Sequence, residues 1–94
     1  METINELLNG LYGQDRESLF IVLEAYENNC KTEKIEYCGF NNMSGYVYLS
    51  LEDGISVVSC FAQDAEYLVT DFEDGEEYFF DSYEEAQQKL KELN

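Results

Sequence analysis

The 94 residues contain no histidine, no proline and no tryptophan, and lysine and arginine together number only five. Without histidine the chain lacks the side chain that most often serves as a general base near neutral pH and most often binds a metal. Without proline, its turns fall to glycine, asparagine and aspartate. The cysteines, Cys30, Cys38 and Cys60, are odd in number and show no CxxC spacing. A disulfide framework calls for even numbers in an exporting context, so reduced cytosolic thiols are expected. No stretch approaches the roughly 18 apolar residues of a membrane span. The first ten residues, METINELLNG, are acidic and hold no apolar run of signal-peptide length. The expected location is the cytoplasm.

What the chain has in quantity is acid and aromatic surface. Its formal net charge is -16, and eight tyrosines and six phenylalanines contribute to a hydrophobic content of 45%. That content is too rich for a disordered acidic tail, and the length suits one domain, 1–94, with one modest core. The five bases, Arg16, Lys31, Lys34, Lys89 and Lys91, lie in or just beside the flanking helical segments. From Ile35 to Gln88 there are 54 residues, 13 of them acidic and none basic. Such a charge repels duplex DNA, RNA and anionic membrane leaflets, because binding those polymers depends on cations replacing counterions. Direct nucleic-acid binding is excluded on that ground, and a strongly basic protein is the natural complement.

In chain order, Thr3 and Glu6 fit a capping box, after which Ile4, Leu7, Leu8 and Leu11 share one helical face. Gly10 and Gly13 bracket the end of this short helix. Asp15 is the expected cap of a second helix, with a stripe of Leu19, Val22, Leu23 and Tyr26 widened by Phe20 and Ile21 and a stop at Asn28-Asn29. A helix so broadly apolar should be well buried. The segment KTEKIEYCGF then leads into a sheet, with Ile35, Tyr37 and Gly39 alternating against Glu36, Cys38 and Phe40. After a turn at 41–45, Val47, Leu49 and Leu51 alternate with Tyr46, Tyr48 and Ser50. Glu52-Asp53-Gly54 supplies a hairpin turn, since Asp-Gly tolerates the positive φ that tight hairpins need. The most apolar strand, expected from Ile55 to Ala62, should be central. Gln63-Asp64-Ala65 turns into a strand over 66–72, and Glu73-Asp74-Gly75 into another over 76–80. In a meander the two Asp-Gly turns fall at the same end of the sheet. Asp81 or Ser82 caps a final helix with Glu84 or Glu85 three residues on, Tyr83, Ala86, Leu90 and Leu93 as its stripe, and Lys89 and Lys91 near the negative end of its dipole. The fold class is α+β: about five antiparallel strands in a meander, two N-terminal helices and one C-terminal helix.

Little in this pattern supports catalysis. Cys30, at a helix end, is the most exposed thiol, while Cys38 and Cys60 sit in strands as small hydrophobes with no nearby cation to activate them. Twenty-one acids guarantee close carboxylate pairs, but acid–base work needs a cleft that shifts one pKa, and so short a chain leaves little room for one. The acidic run 71–77 supplies oxygens for calcium, yet setting Gly75 at the sixth EF-hand position places Thr70 first, Phe72 third and Asp81 where the bidentate Glu belongs. No enzymatic activity, metal or cofactor is expected.

Acids on turns and outward strand positions keep an aromatic-rich sheet soluble and discourage edge pairing. Solubility alone, however, is served by mixed charge, which avoids the self-repulsion that weakens a compact state. Outward residues on a strand recur roughly every 7 Å and strands lie about 4.8 Å apart, the spacing scale of a nucleic-acid backbone. The interleaved tyrosines Tyr46, Tyr48, Tyr67 and Tyr78 add aromatic anchors. In size, charge and helix–sheet–helix layout the chain resembles the small acidic inhibitors carried by phages and mobile elements against bacterial defence, the anti-CRISPR proteins and antirestriction DNA mimics. The resemblance implies an inhibitor whose carboxylates occupy the nucleic-acid-binding site of a basic protein such as a CRISPR-Cas effector or other defence nuclease. The residues expected to bind the partner are Glu52, Asp53, Glu73, Asp74, Glu76 and Glu77, then Glu66, Asp71, Asp81 and Glu84. An immunity protein against a basic nuclease toxin would use the same electrostatics, and a non-enzymatic adaptor would use an exposed apolar face or sheet edge.

Overall fold

A computed structural model describes residues 3–31 and 34–93. Thr32 and Glu33, part of the lead-in to the first strand, lie outside the described residues. The element order is α1 (Ile4–Gly10), α2 (Gln14–Asn29), β1 (Ile35–Asn41), β2 (Tyr46–Leu51), β3 (Ile55–Cys60), β4 (Glu66–Asp71), β5 (Glu76–Phe80) and α3 (Tyr83–Leu93). The strands form one antiparallel sheet in sequential order, with β3 at its centre. The α+β meander with two helices before it and one after is therefore present. No described helix is long and apolar enough to cross a membrane.

Local chemistry explains most element ends. Thr3 and Glu6 form a complete capping box at α1. At α3 it is Ser82, not Asp81, that caps: its hydroxyl oxygen accepts from the Glu85 amide at 3.2 Å and the hydroxyl donates to the Glu85 carboxylate at 3.1 Å. Asp15 does not cap α2. The chain turns at Gly13, whose φ of 59° only glycine adopts cheaply, so the helix starts two residues early and Asp15 lies in its first turn. Strand β3 ends at Cys60 rather than Ala62. Phe61 and Ala62 both have positive φ, 51° and 57°, and the Gln63 amide closes a turn on the Cys60 carbonyl at 3.0 Å. Two buried serines hold this turn: Ser18 accepts from the Ala62 amide at 2.8 Å, and Ser59 donates to the Gln63 carbonyl. The Ser18 contact reaches across the fold from α2, and it overrides a local sequence that reads as continued strand.

One core joins the helices to one face of the sheet. Leu7 and Leu11, Leu19 and Val22, and Tyr83 and Ala86 pack with Val47, Leu49, Leu51, Ile55, Val57, Tyr67 and Val69. Residues paired across strands share a face, and the register Leu49↔Val57↔Tyr67↔Phe80 runs straight through this core. In β1 the register shifts between Ile35 and Tyr37, a bulge that swings Ile35 to the same side as Cys38 and Phe40. The strict alternation expected of β1 fails there, and Ile35 joins the core. α2 buries a narrower stripe than its composition suggests, because Phe20 is 50% exposed.

Among the described residues no helix packs on the opposite face of the sheet. That face carries Tyr37, Tyr46, Tyr48, Val58, Leu68 and Phe79, as the pairs Tyr37↔Ser50, Tyr48↔Val58 and Leu68↔Phe79 require.

Candidate protein-binding surface

The meander fixes where the acids go. β4 begins at Glu66 and ends at Asp71, so those two carboxylates mark opposite ends of the sheet, roughly 17 Å apart at the usual rise per residue. The turns at 52–54 and 72–75 gather Glu52, Asp53, Asp71, Glu73, Asp74, Glu76 and Glu77 at one end. At the other end Glu66 and Asp81 line a shallow depression together with Asp64. Glu84 joins neither group; it lies in the first turn of α3, in the helical layer. The ten expected residues thus form two clusters and one outlier.

Within the larger cluster the aspartates and glutamates have different work. Asp53 Oδ1 accepts from the Ile55 amide at 3.0 Å, Asp71 Oδ1 from Glu73 at 3.0 Å, and Asp74 Oδ1 from Glu76 at 2.9 Å. Each of these aspartates shapes its own turn, as short side chains with an acceptor near the backbone do. The Glu76 carboxylate accepts from the Tyr78 hydroxyl at 2.8 Å, and that bond pushes the phenol up to about 12. Glu52, Glu73 and Glu77 are exposed, and no local turn in the structure rests on their carboxylates. They are the acids best placed to meet a partner.

The tyrosines also divide. Tyr46 and Tyr48 lie on the bare face. Tyr67 is buried in the core at 3% exposure, edge-on to Tyr83, with its hydroxyl accepting from Asn29 Nδ2 at 2.9 Å. Tyr78 is on the helix side with the Lys89 ammonium 4.2 Å from its ring centroid. Tyr67 and Tyr78 are therefore parts of the scaffold and not surface anchors. The reason is register: Tyr67 pairs with Val57 and Tyr78 with Val69, both of which face the helices.

Sequence reasoning missed Phe79 as a surface residue. Its ring meets that of Tyr46 in an edge-to-face contact, centroids 6.4 Å apart and planes at 75°. The two residues sit on β5 and β2, with β3 and β4 between them, a span of about 14 Å in a flat sheet. Long rings and the twist of the sheet bring them together above Val58 and Leu68, which are buried although no helix covers them. Near this end Phe61 and Met43 are also exposed, Met43 almost wholly, and the Phe61 ring packs beside Gly45. Tyr48 lies so close over Gly39 that a Cβ there would come within 2.7 Å of its hydroxyl. The signal for this face was present in the alternation of β2, but nothing local says that a strand three places away closes over it.

Cys30 is not an activated nucleophile. Burial, reinforced by the charges of Asp53 and Glu84, pushes the Cys30 thiol up to about 12. A thiol so hard to ionise is a poor nucleophile. Cys38 is buried in the core, and Cys60 is half-buried on the bare face opposite Tyr46. Among the described residues no group of three or more Cys, Asp or Glu side chains is arranged to hold a metal ion. Comparison of the chain with protein-family models, with curated proteins and with solved structures finds no match.

Proposed function

We propose that this protein is a non-enzymatic inhibitor that binds a basic DNA- or RNA-handling protein and occupies its nucleic-acid-binding site. The observation that carries this reading is a sheet face left bare by the helices, carrying Tyr37, Tyr46, Tyr48 and Phe79 on its outer strands and bracketed by carboxylates at both ends. An exposed apolar face with a charged rim is the usual anatomy of an interface: aromatic side chains supply affinity at the centre and charge at the rim supplies steering and register. Carboxylate clusters suit cationic side chains that otherwise hold phosphates. CRISPR-Cas effectors and other defence nucleases of a bacterial host are the basic proteins of this kind that the resemblance to anti-defence inhibitors suggests, with the bacterial cytoplasm as the place of action.

Capture of partners from a bacterial lysate at low and at high salt tests this reading. The expected partner is basic, is lost steeply as salt rises, and competes with nucleic acid for the same protein. The triple change Glu52→Lys, Glu73→Lys, Glu77→Lys should abolish capture while leaving the fold intact, because these glutamates do not build the turns. Binding that survives both salt and the triple reversal sinks the electrostatic account. An adaptor engaged through its aromatic face would instead lose affinity only mildly with salt.

A further inference from the structure

At the end of the bare face nearest the 61–65 turn there is a recess of about 300 Å³. Tyr46 and Phe79 form its walls and Val58 and Cys60 its floor, and Asp64 and Glu66 line it beside Ser59 and Gln63. We infer that this recess receives a single arginine side chain of the basic partner. The inference rests on the proposed function and adds to it the residue type and the place of contact.

The chemistry of the lining selects the occupant. An apolar floor takes up the methylene stem of a long cationic side chain, which prefers to bury its stem and keep its head group polar. Tyr46 and Phe79 meet edge to face, so a planar guanidinium can stack on the face of one of them, and it is more weakly hydrated than an ammonium. Asp64 and Glu66 supply acceptors for its fork of N–H donors. The volume falls at the small end of ligand pockets, the scale of a side chain and not of a cofactor. Charge complementarity points the same way, since all eight lining residues fall in the stretch from Ile35 to Gln88 that contains no base. Anchors of this kind, an arginine in a desolvated aromatic pocket, are typical hot spots of protein interfaces.

Nona-arginine and nona-lysine peptides test the inference, titrated into the full chain by calorimetry at about 50 mM and about 500 mM salt. The two peptides carry equal charge, so the acidic surface alone treats them alike. Nona-arginine should bind about five- to tenfold more tightly than nona-lysine, the scale of a partly desolvated cation–π contact. Phe79→Ala and, separately, Glu66→Gln should each remove that preference while leaving the nona-lysine affinity within about twofold. Phe79 is 45% exposed and Glu66 is exposed, so neither change hollows the core. Backbone amide shifts on adding nona-arginine should centre on Val58, Cys60 and Phe79. Equal binding of both peptides, or a preference untouched by both variants, overturns the arginine pocket and leaves the acidic-surface reading standing. Failure of both peptides to bind at the lower salt overturns both.

Discussion

The Tyr83 hydroxyl donates a hydrogen bond to Oδ2 of Asp53, tying the first residue of α3 to the turn between β2 and β3. The same phenol oxygen meets the backbone of Lys31, just past the end of α2. Asp53 was expected to face a partner; its two oxygens instead serve Tyr83 and the Ile55 amide. It is the post on which two helices and a hairpin meet. Tyr83→Phe keeps the packing but removes the donor, so urea denaturation should show a loss of about 1–3 kcal/mol. Wild-type stability in that variant would show that the carboxylate is adequately solvated without the phenol.

Stability should also fall in base. Burial raises Cys30 from 9.0 to about 12, and burial followed by the Asp53 hydrogen bond raises Tyr83 above its ordinary 10.0. Both groups hold their proton more tightly folded than unfolded. Their contribution is therefore complete below pH 9, where neither ionises in either state. It declines from there upward as the unfolded chain releases protons first. The urea midpoint should fall between pH 9 and 12, and Cys30→Ala with Tyr83→Phe should flatten that fall.

The turn after β3 offers a test in the stabilising direction. Ala62 sits at φ 57°, where a Cβ is disfavoured. Ala62→Gly should raise stability by about 0.5–1 kcal/mol, the relief of that strain less the added entropy of the unfolded glycine. Ser18→Ala, which removes the acceptor of the Ala62 amide, should cost about 1–3 kcal/mol. Thermal melts of the two variants should move in opposite directions.

Salt should affect folding and binding with opposite signs. A net charge of -16 makes the native state repel itself, and screening reduces that repulsion more in the compact chain than in the expanded one. Raising salt from about 10 mM to about 500 mM should therefore stabilise the protein by about 1 kcal/mol, or roughly 4–8 °C in Tm. A flat melting temperature over that range would mean that self-repulsion is no greater in the native state than in the unfolded chain.

Much of this structure was legible residue by residue. Alternation marked β2 with its two faces correctly divided, Asp-Gly pairs marked the turns at Gly54 and Gly75, and the Thr3 box and the Ser82–Glu85 pair marked helix starts. Several of the misses trace to contacts distant in sequence. β3 stops at Cys60 because Ser18 in α2 and Ser59 hold the following turn, and Tyr67 is core because its neighbour across the sheet is Val57. The acids were legible as a charge, but their assignment to turn-making or to open surface was not, since that depends on which oxygen lies near which amide.

By itself the sequence determined a one-sheet meander of acid-bearing strands, since side-chain period and turn chemistry act over a few residues. Which face stays bare only the tertiary structure decided. In β3 and β4 apolar residues occur at successive positions, Val57-Val58 and Tyr67-Leu68-Val69, so either face could have accepted the helices as far as those strands show. The register across all five strands selects one, and the twist accumulated between β2 and β5 then sets Tyr46 against Phe79 on the other.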